Sequence, residues 1–163
     1  MKKLFFSASA SRFALACALA VSAVSFTSCD DDDDDMDDNR IYTISGNSTS
    51  AQMVPAGTAT GTGTITGSFN PANNQLTYTS TWNGLTGVPT SGGFYTGASG
   101  TNGTAVGTAW TFPAGSTATG STTGTMTLTG AQADQLINGN WYYTYGTAAN
   151  TSGEIRGQIS ATR

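Results

Sequence analysis

Histidine is absent from this 163-residue chain. That removes the side chain most used as a general base near neutral pH and the commonest metal ligand. Cysteine occurs only at Cys17 and Cys29, ahead of any folded domain, so no disulfide frames the fold. Charge is scarce too: charged residues are 10% of the chain, against about 25% in an average soluble protein. Eight of the ten acids sit in one run, Asp30, Asp31, Asp32, Asp33, Asp34, Asp35, Asp37 and Asp38. Beyond Asn39 only Asp134 and Glu154 face Arg40, Arg156 and Arg163. That part is nearly neutral, which excludes a basic surface for nucleic acid and an acidic one for a cationic partner.

No apolar run is long enough for a transmembrane helix, which needs about 20 residues. The one that exists, Phe13 to Phe26, follows Lys2, Lys3 and Arg12 and ends at Ser28-Cys29. A basic start, a short apolar stretch and small residues before a cleavage point make residues 1–28 a secretory signal peptide. Phe26-Thr27-Ser28-Cys29 resembles a relaxed bacterial lipobox, which makes Cys29 the expected lipid-attachment residue. Ordinary cleavage nearby, leaving a free thiol, is the alternative. Residues 29–40 then form a tether whose like charges repel and prevent folding. Its plain reading is a solvated spacer. In some Gram-negative lineages an acidic run after the lipidated Cys resembles an export signal to the outer face of the outer membrane; in others Asp after the Cys marks retention inside. The length of this run favours export, with a periplasm-facing protein as the alternative. A calcium site in the run is disfavoured, because disordered carboxylates lack a fixed oxygen cage.

Residues 41–163 are rich in Gly, Thr, Ser and Asn with regularly spaced apolar residues, which points to an all-β domain. Ile41–Ile44 reads as a first strand. In Gly61–Phe69, Gly63, Ile65, Gly67 and Phe69 alternate with polar residues. After the turn Asn70–Asn74, Leu76, Tyr78, Ser80 and Trp82 take the inner face, and Asn83-Gly84 turns the chain. Thr108–Phe112 and Gly124–Thr129 are further expected strands, with Met126 and Leu128 inward. Thr129-Gly130-Ala131-Gln132 is a capping-box pattern for one short helix ended by Gly139. Trp141, Tyr143 and Tyr145 alternate with Tyr142, Thr144 and Gly146. After the turn Thr147–Gly153, Ile155, Gly157 and Ile159 share one face, and Glu154, Arg156 and Gln158 the other. These strands and the late helix predict a Greek-key β-sandwich.

LTYTSTWNGLTGVPTS (Leu76–Ser91), LTGAQADQLINGNWYY (Leu128–Tyr143) and TAANTSGEIRGQI (Thr147–Ile159) resemble the CHRD domain, a module repeated in chordin and found singly in many bacterial exported proteins. Gly153, Glu154, Ile155, Arg156 and Gly157 carry the most specific part of that likeness. The resemblance implies an immunoglobulin-like or superoxide-dismutase-like sandwich without established catalytic activity. Many relatives carry an HxH pair and a further His, which would suit a metal. Here those positions read Gly93-Phe94-Tyr95 and Gly146, so neither cofactor nor metal is expected.

Two groups remain as candidates. Glu154 and Arg156, two apart on one face, could pair with each other or across the sheet and brace its edge. Of Tyr95, Trp110, Tyr142, Tyr143 and Tyr145, alternation exposes at least one of Tyr142 and Tyr143. Exposed tyrosines can stack on sugars or fill peptide pockets, or merely pack a rim. Tyr95, Tyr142, Tyr143 and Tyr145 are therefore the candidate recognition residues. The expected protein is a lipid-anchored envelope module that binds a protein or glycan and is no enzyme. The alternatives are a structural envelope component whose ligand is a neighbouring subunit and, disfavoured for want of imidazoles, a metal-dependent enzyme of superoxide-dismutase type.

Overall fold

The computed structural model describes residues 40–163. The signal peptide, Cys29 and Asp30–Asp38 lie outside the described residues.

Among the described residues, nine strands and one α-helix follow one another along the chain. They are β1 (Tyr42–Thr49), β2 (Thr62–Asn70), β3 (Gln75–Asn83), β4 (Pro89–Thr96), β5 (Ala105–Val106), β6 (Gly120–Thr127), α1 (Gly130–Ile137), β7 (Trp141–Thr147), β8 (Ile155–Gln158) and β9 (Ser160–Thr162). All pairings are antiparallel, in the order β5-β4-β7-β8-β1-β2-β3-β6, with β9 continuing beside β1. The single bridge Thr49–Arg156 joins β1 to β8, and there the sheet folds over on itself. Rings that stand far apart in sheet order consequently touch. Tyr78 of β3 meets Phe94 of β4 edge-on at 4.8 Å, and Trp82 of β3 lies 5.3 Å from Tyr145 of β7. The Tyr145 hydroxyl donates to Ser80 Oγ across this gap at 2.7 Å. The fold is thus the expected all-β sandwich with one helix. The connections β3–β4, β5–β6 and β6–β7 cross between its layers.

Alternation places the inner face of β3 as the sequence predicts: Leu76, Tyr78, Ser80 and Trp82 are buried, and so are Ile65 and Phe69 of β2. Trp141, Tyr143 and Tyr145 of β7 are buried too, against the recognition role expected of the two tyrosines. Each large apolar side chain so buried contributes roughly 1.5–3 kcal/mol. The capping box forms as read. Thr129 Oγ1 accepts from the Gln132 N–H at 3.3 Å, and Gln132 Oε1 accepts from the Thr129 N–H at 2.9 Å. Leu136, fully buried, pins α1 to the core.

Three strand expectations need correction. The strand expected over Gly124–Thr129 starts earlier and ends sooner, at Gly120–Thr127, and the buried Leu128 follows it. The first strand begins at Tyr42 and runs to Thr49, because pairing along all of β2 carries its weak Gly46–Ser48 stretch. Thr108–Phe112 is not a strand. β5 ends after two residues, and Gly107 at φ +70 turns the chain out of extended geometry. A single backbone bond, Trp110 N–H to Gly92 C=O at 2.9 Å, anchors the segment beyond that turn. Instead of alternating, Trp110 drops into the seam between the sheet's two ends and packs on Tyr78, Phe94 and Tyr145.

Candidate functional site

The outer face of β4, β7 and β8 is built by pairing. Tyr95 stands opposite Tyr142, which stands opposite Gln158; one row along, Gly93 faces Thr144, which faces Arg156. Side chains of one row therefore meet across strands. Tyr95 stacks on Tyr142 with centroids 5.3 Å apart and planes 13° from parallel. From the opposite strand, the Arg156 guanidinium lies 3.6 Å above the Tyr142 ring. Tyr142 is thus held between a phenol and a cation, a contact worth about 2 kcal/mol or more once water is excluded.

Two loops cover this face. Arg156 Nη2 donates to Ala98 C=O at 3.1 Å, and Gln158 Nε2 donates to Gly97 C=O at 2.9 Å. The Gly103 N–H donates to the Tyr142 hydroxyl at 3.1 Å, and Asn102 Nδ2 to Val54 C=O at 2.9 Å. Between the loops remains a hollow of about 240 Å³, lined by Met53, Val54, Tyr95, Asn102, Tyr142, Thr144, Ser152 and Arg156.

Burial pulls the Arg156 guanidinium down from its ordinary value, and Tyr142 opposes that shift. Arginine nevertheless stays charged at neutral pH. Glu154 also differs from expectation. It does not pair with Arg156, and both are buried, at 1% and 2% exposure. The Glu154 carboxylate accepts from the Thr86 N–H at 2.7 Å, from the Thr86 and Thr147 hydroxyls at 2.5 and 2.7 Å, and from Asn150 Nδ2 at 3.2 Å. Burial pushes its carboxyl up, but these hydrogen bonds together outweigh it and hold the group below the usual carboxylate range. The knot ties the β3–β4 connection to the β7–β8 turn.

The rest of the five-residue motif is structural as well. Gly153 takes φ +124 at the end of the turn, where L side chains are strained. Ile155 is fully buried. A Cβ on Gly157 would stand 2.6 Å from the Tyr143 ring and 2.7 Å from Asn47 C=O.

The recognition residues are corrected accordingly. Tyr143 and Tyr145 have no exposed surface. They face the core, and burial raises the Tyr143 phenol to about 12 and Tyr145 higher still, against weaker lowering by hydrogen bonds. Trp110 is a core residue. Tyr142 does point outward as alternation requires, yet it is 4% exposed because Tyr95, Arg156 and the loops enclose it. Tyr95 alone of the four is half-buried. Sequence reasoning missed Met53, Val54, Asn102 and Ser152. Asn102-Gly103-Thr104 holds only small and polar residues, and nothing local says which face it covers.

The family model described as CHRD domain matches residues 44–159. The chain belongs to the CHRD domain family. No curated protein and no solved structure matches it. The matched CHRD segment spans β1 through β8 and so contains the hollow and the Glu154 knot. A metal implied by imidazole-bearing relatives does not fit this member. Gly93 and Gly146 offer no side chain, Phe94 is in the core, and Tyr95 is stacked on Tyr142. Among the described residues no group of three or more His, Cys, Asp or Glu comes together.

Proposed function

We propose that this CHRD-domain protein is a lipid-anchored, non-enzymatic binding module of the cell envelope, carried on the outer membrane and facing outward. Its ligand is a protein or glycan, and its site is the hollow over β4, β7 and β8. The observation that carries this reading is the juxtaposition of the half-buried Tyr95 with the buried Arg156 and polar Asn102 in one concave site. Concave sites with a few convergent polar groups are where ligands bind. The lipobox-like Phe26–Cys29 and the Asp run support the anchor and the outward placement. Binding of the purified protein to glycan and peptide arrays tests the site: Tyr95→Ala and Asn102→Ala should lose the signal, and retention of full binding by both would place the ligand elsewhere. Protease treatment of intact cells tests the placement: survival of the domain on intact cells with digestion after lysis would put it in the periplasm.

A second reading, a structural subunit joined to its neighbours, has one observation in its favour. β6 ends the sheet, and among the described residues no strand pairs its outer edge. Its sequence GSTTGTMT carries no charge and no proline, the usual guards of a free edge. Concentration-dependent assembly in light scattering, abolished by Thr123→Pro, would favour this second reading.

A further inference from the structure

Among the described residues Arg156 is a cation without a counter-ion. It is 2% exposed, and buried charges are normally paired. The side-chain carboxylates among those residues are Asp134, on α1, and Glu154, whose oxygens are taken by Thr86, Thr147 and Asn150. The Tyr142 ring and the Ala98 carbonyl compensate the charge only in part. The contacts to Asn102 Oδ1 and Gln158 Oε1 are both 3.5 Å, at the outer limit of a hydrogen bond. The fork therefore keeps donor capacity beyond these contacts, and Arg156 lines the hollow.

We propose that this hollow binds a sugar acid, with the sugar carboxylate on the Arg156 guanidinium and the sugar hydroxyls on Asn102, Thr144, Ser152 and the Tyr95 hydroxyl. The inference rests on the binding-module reading and names its ligand class. Three features select this ligand. The volume of about 240 Å³ falls below the usual range for drug-sized ligands, about 300–1,000 Å³, and suits a single ring. Hydroxyls and an amide, rather than further charges, surround the guanidinium, which matches a ligand with one carboxylate and several hydroxyls. Met53 and Val54 supply apolar contact for ring C–H groups. A peptide C-terminus is disfavoured, because such termini are captured by backbone nests or by free strand edges. Here β4, β7 and β8 are each paired on both sides.

The test is calorimetry on the full chain with galacturonic acid, its neutral counterpart galactose, and trialanine with a free carboxylate. Galacturonic acid should bind, and galactose about ten- to a hundredfold more weakly, as expected for loss of one charge-assisted contact. The decisive variant is Asn102→Asp. It sets a carboxylate where Oδ1 now lies 3.5 Å from Nη1, on an exposed loop. It should fold, occupy the guanidinium from within, and lower affinity for the acid by a similar factor. Arg156→Gln should lose binding as well; where it fails to fold, Asn102→Asp alone decides. Full affinity in Asn102→Asp overturns the proposal, as does failure of the sugar acid to bind. Equal binding of both sugars, lost in Tyr95→Ala, overturns the acid class but leaves the glycan-binding reading standing. Preference for trialanine overturns the sugar class and leaves a protein-binding module.

Discussion

Replacing Glu154 by Gln keeps its shape and removes its charge. The carboxylate accepts four hydrogen bonds, three of them at 2.5–2.7 Å. Hydrogen bonds to a charged group contribute about 1.5–3 kcal/mol each when measured singly. They do not add, because the hydroxyls of Thr86 and Thr147 also lie 3.0 Å from each other and can reorient. The Thr86 backbone N–H has no such freedom, so the new amide N–H₂ would face either it or Asn150 Nδ2. The expected loss is about 2–4 kcal/mol at neutral pH, as for breaking a buried polar network. The pH dependence has a fixed sign. The folded carboxyl is held below its ordinary value, so its stabilisation is complete above the unfolded pKa, about 4.3. That stabilisation is lost as pH falls through the lower folded value. Urea unfolding of wild type and Glu154→Gln at a series of pH values gives the difference, in which acids common to both chains cancel. The gap should be full at pH 7 and close below about pH 4. A midpoint unchanged at pH 7, or a gap that persists at low pH, would refute the carboxylate as the source of the knot.

The buried phenols set the opposite limit. Tyr143 and Tyr145 are raised above the ordinary value of about 10. Their neutral forms thus stabilise the fold fully below that value, and the contribution is lost as pH rises through the folded values, about 12 for Tyr143. Phenolate absorbance for these residues should appear together with loss of β-sheet circular dichroism; ionisation at ordinary pH in a folded chain would contradict their burial. Gly157→Ala should cost about 1–3 kcal/mol by overpacking, against Tyr143 and Asn47. Gly87→Ala, whose Cβ would meet nothing within 4 Å, should stay within about 0.5 kcal/mol of wild type in the same melt. Glu154→Gln and Arg156→Lys should combine with a coupling below about 0.5 kcal/mol in a double-mutant cycle, because the two residues have separate partners; a large coupling would restore the ion pair. Cys29→Ser should shift the protein from the membrane to the soluble fraction, and unchanged fractionation would exclude the lipid anchor.

Most strands and the helix were legible because period-2 alternation and a capping box are local signals. Leu76, Tyr78, Ser80 and Trp82 read as an inner face and are one. Thr108–Phe112 alternates as well as a true strand does. It is defeated by φ +70 at Gly107 and by the demand of a bare seam for a large ring, which Trp110 meets. Alternation also says which face a residue takes and nothing about what covers that face. Alternation puts one of Tyr142 and Tyr143 outward, and it is Tyr142, yet the loop at residues 97–104 lies over it, held by hydrogen bonds to Arg156, Gln158 and Tyr142 itself. That loop is Gly, Ala, Thr, Ser and Asn, without an apolar residue larger than Ala. It carries no hydrophobic pattern from which its docking could be read.

The same distinction explains why the five-residue motif was recognisable while its chemistry was misjudged. Residues two apart on a strand sit on one face roughly 7 Å apart, so Glu154 and Arg156 look like a ready ion pair in a chain so poor in charge. The structure sends them to different neighbours. Glu154 turns to the hydroxyls of Thr86 and Thr147 at one end of the strand pair. Arg156 lies over Tyr142 beneath a loop. An ion pair would have satisfied both charges internally and left the outer face inert. Satisfying the anion with neutral donors instead leaves the cation, among the described residues, without a counter-ion beside the hollow that it lines, and a fixed positive charge in a concave, hydroxyl-lined place is what a ligand with one carboxylate requires.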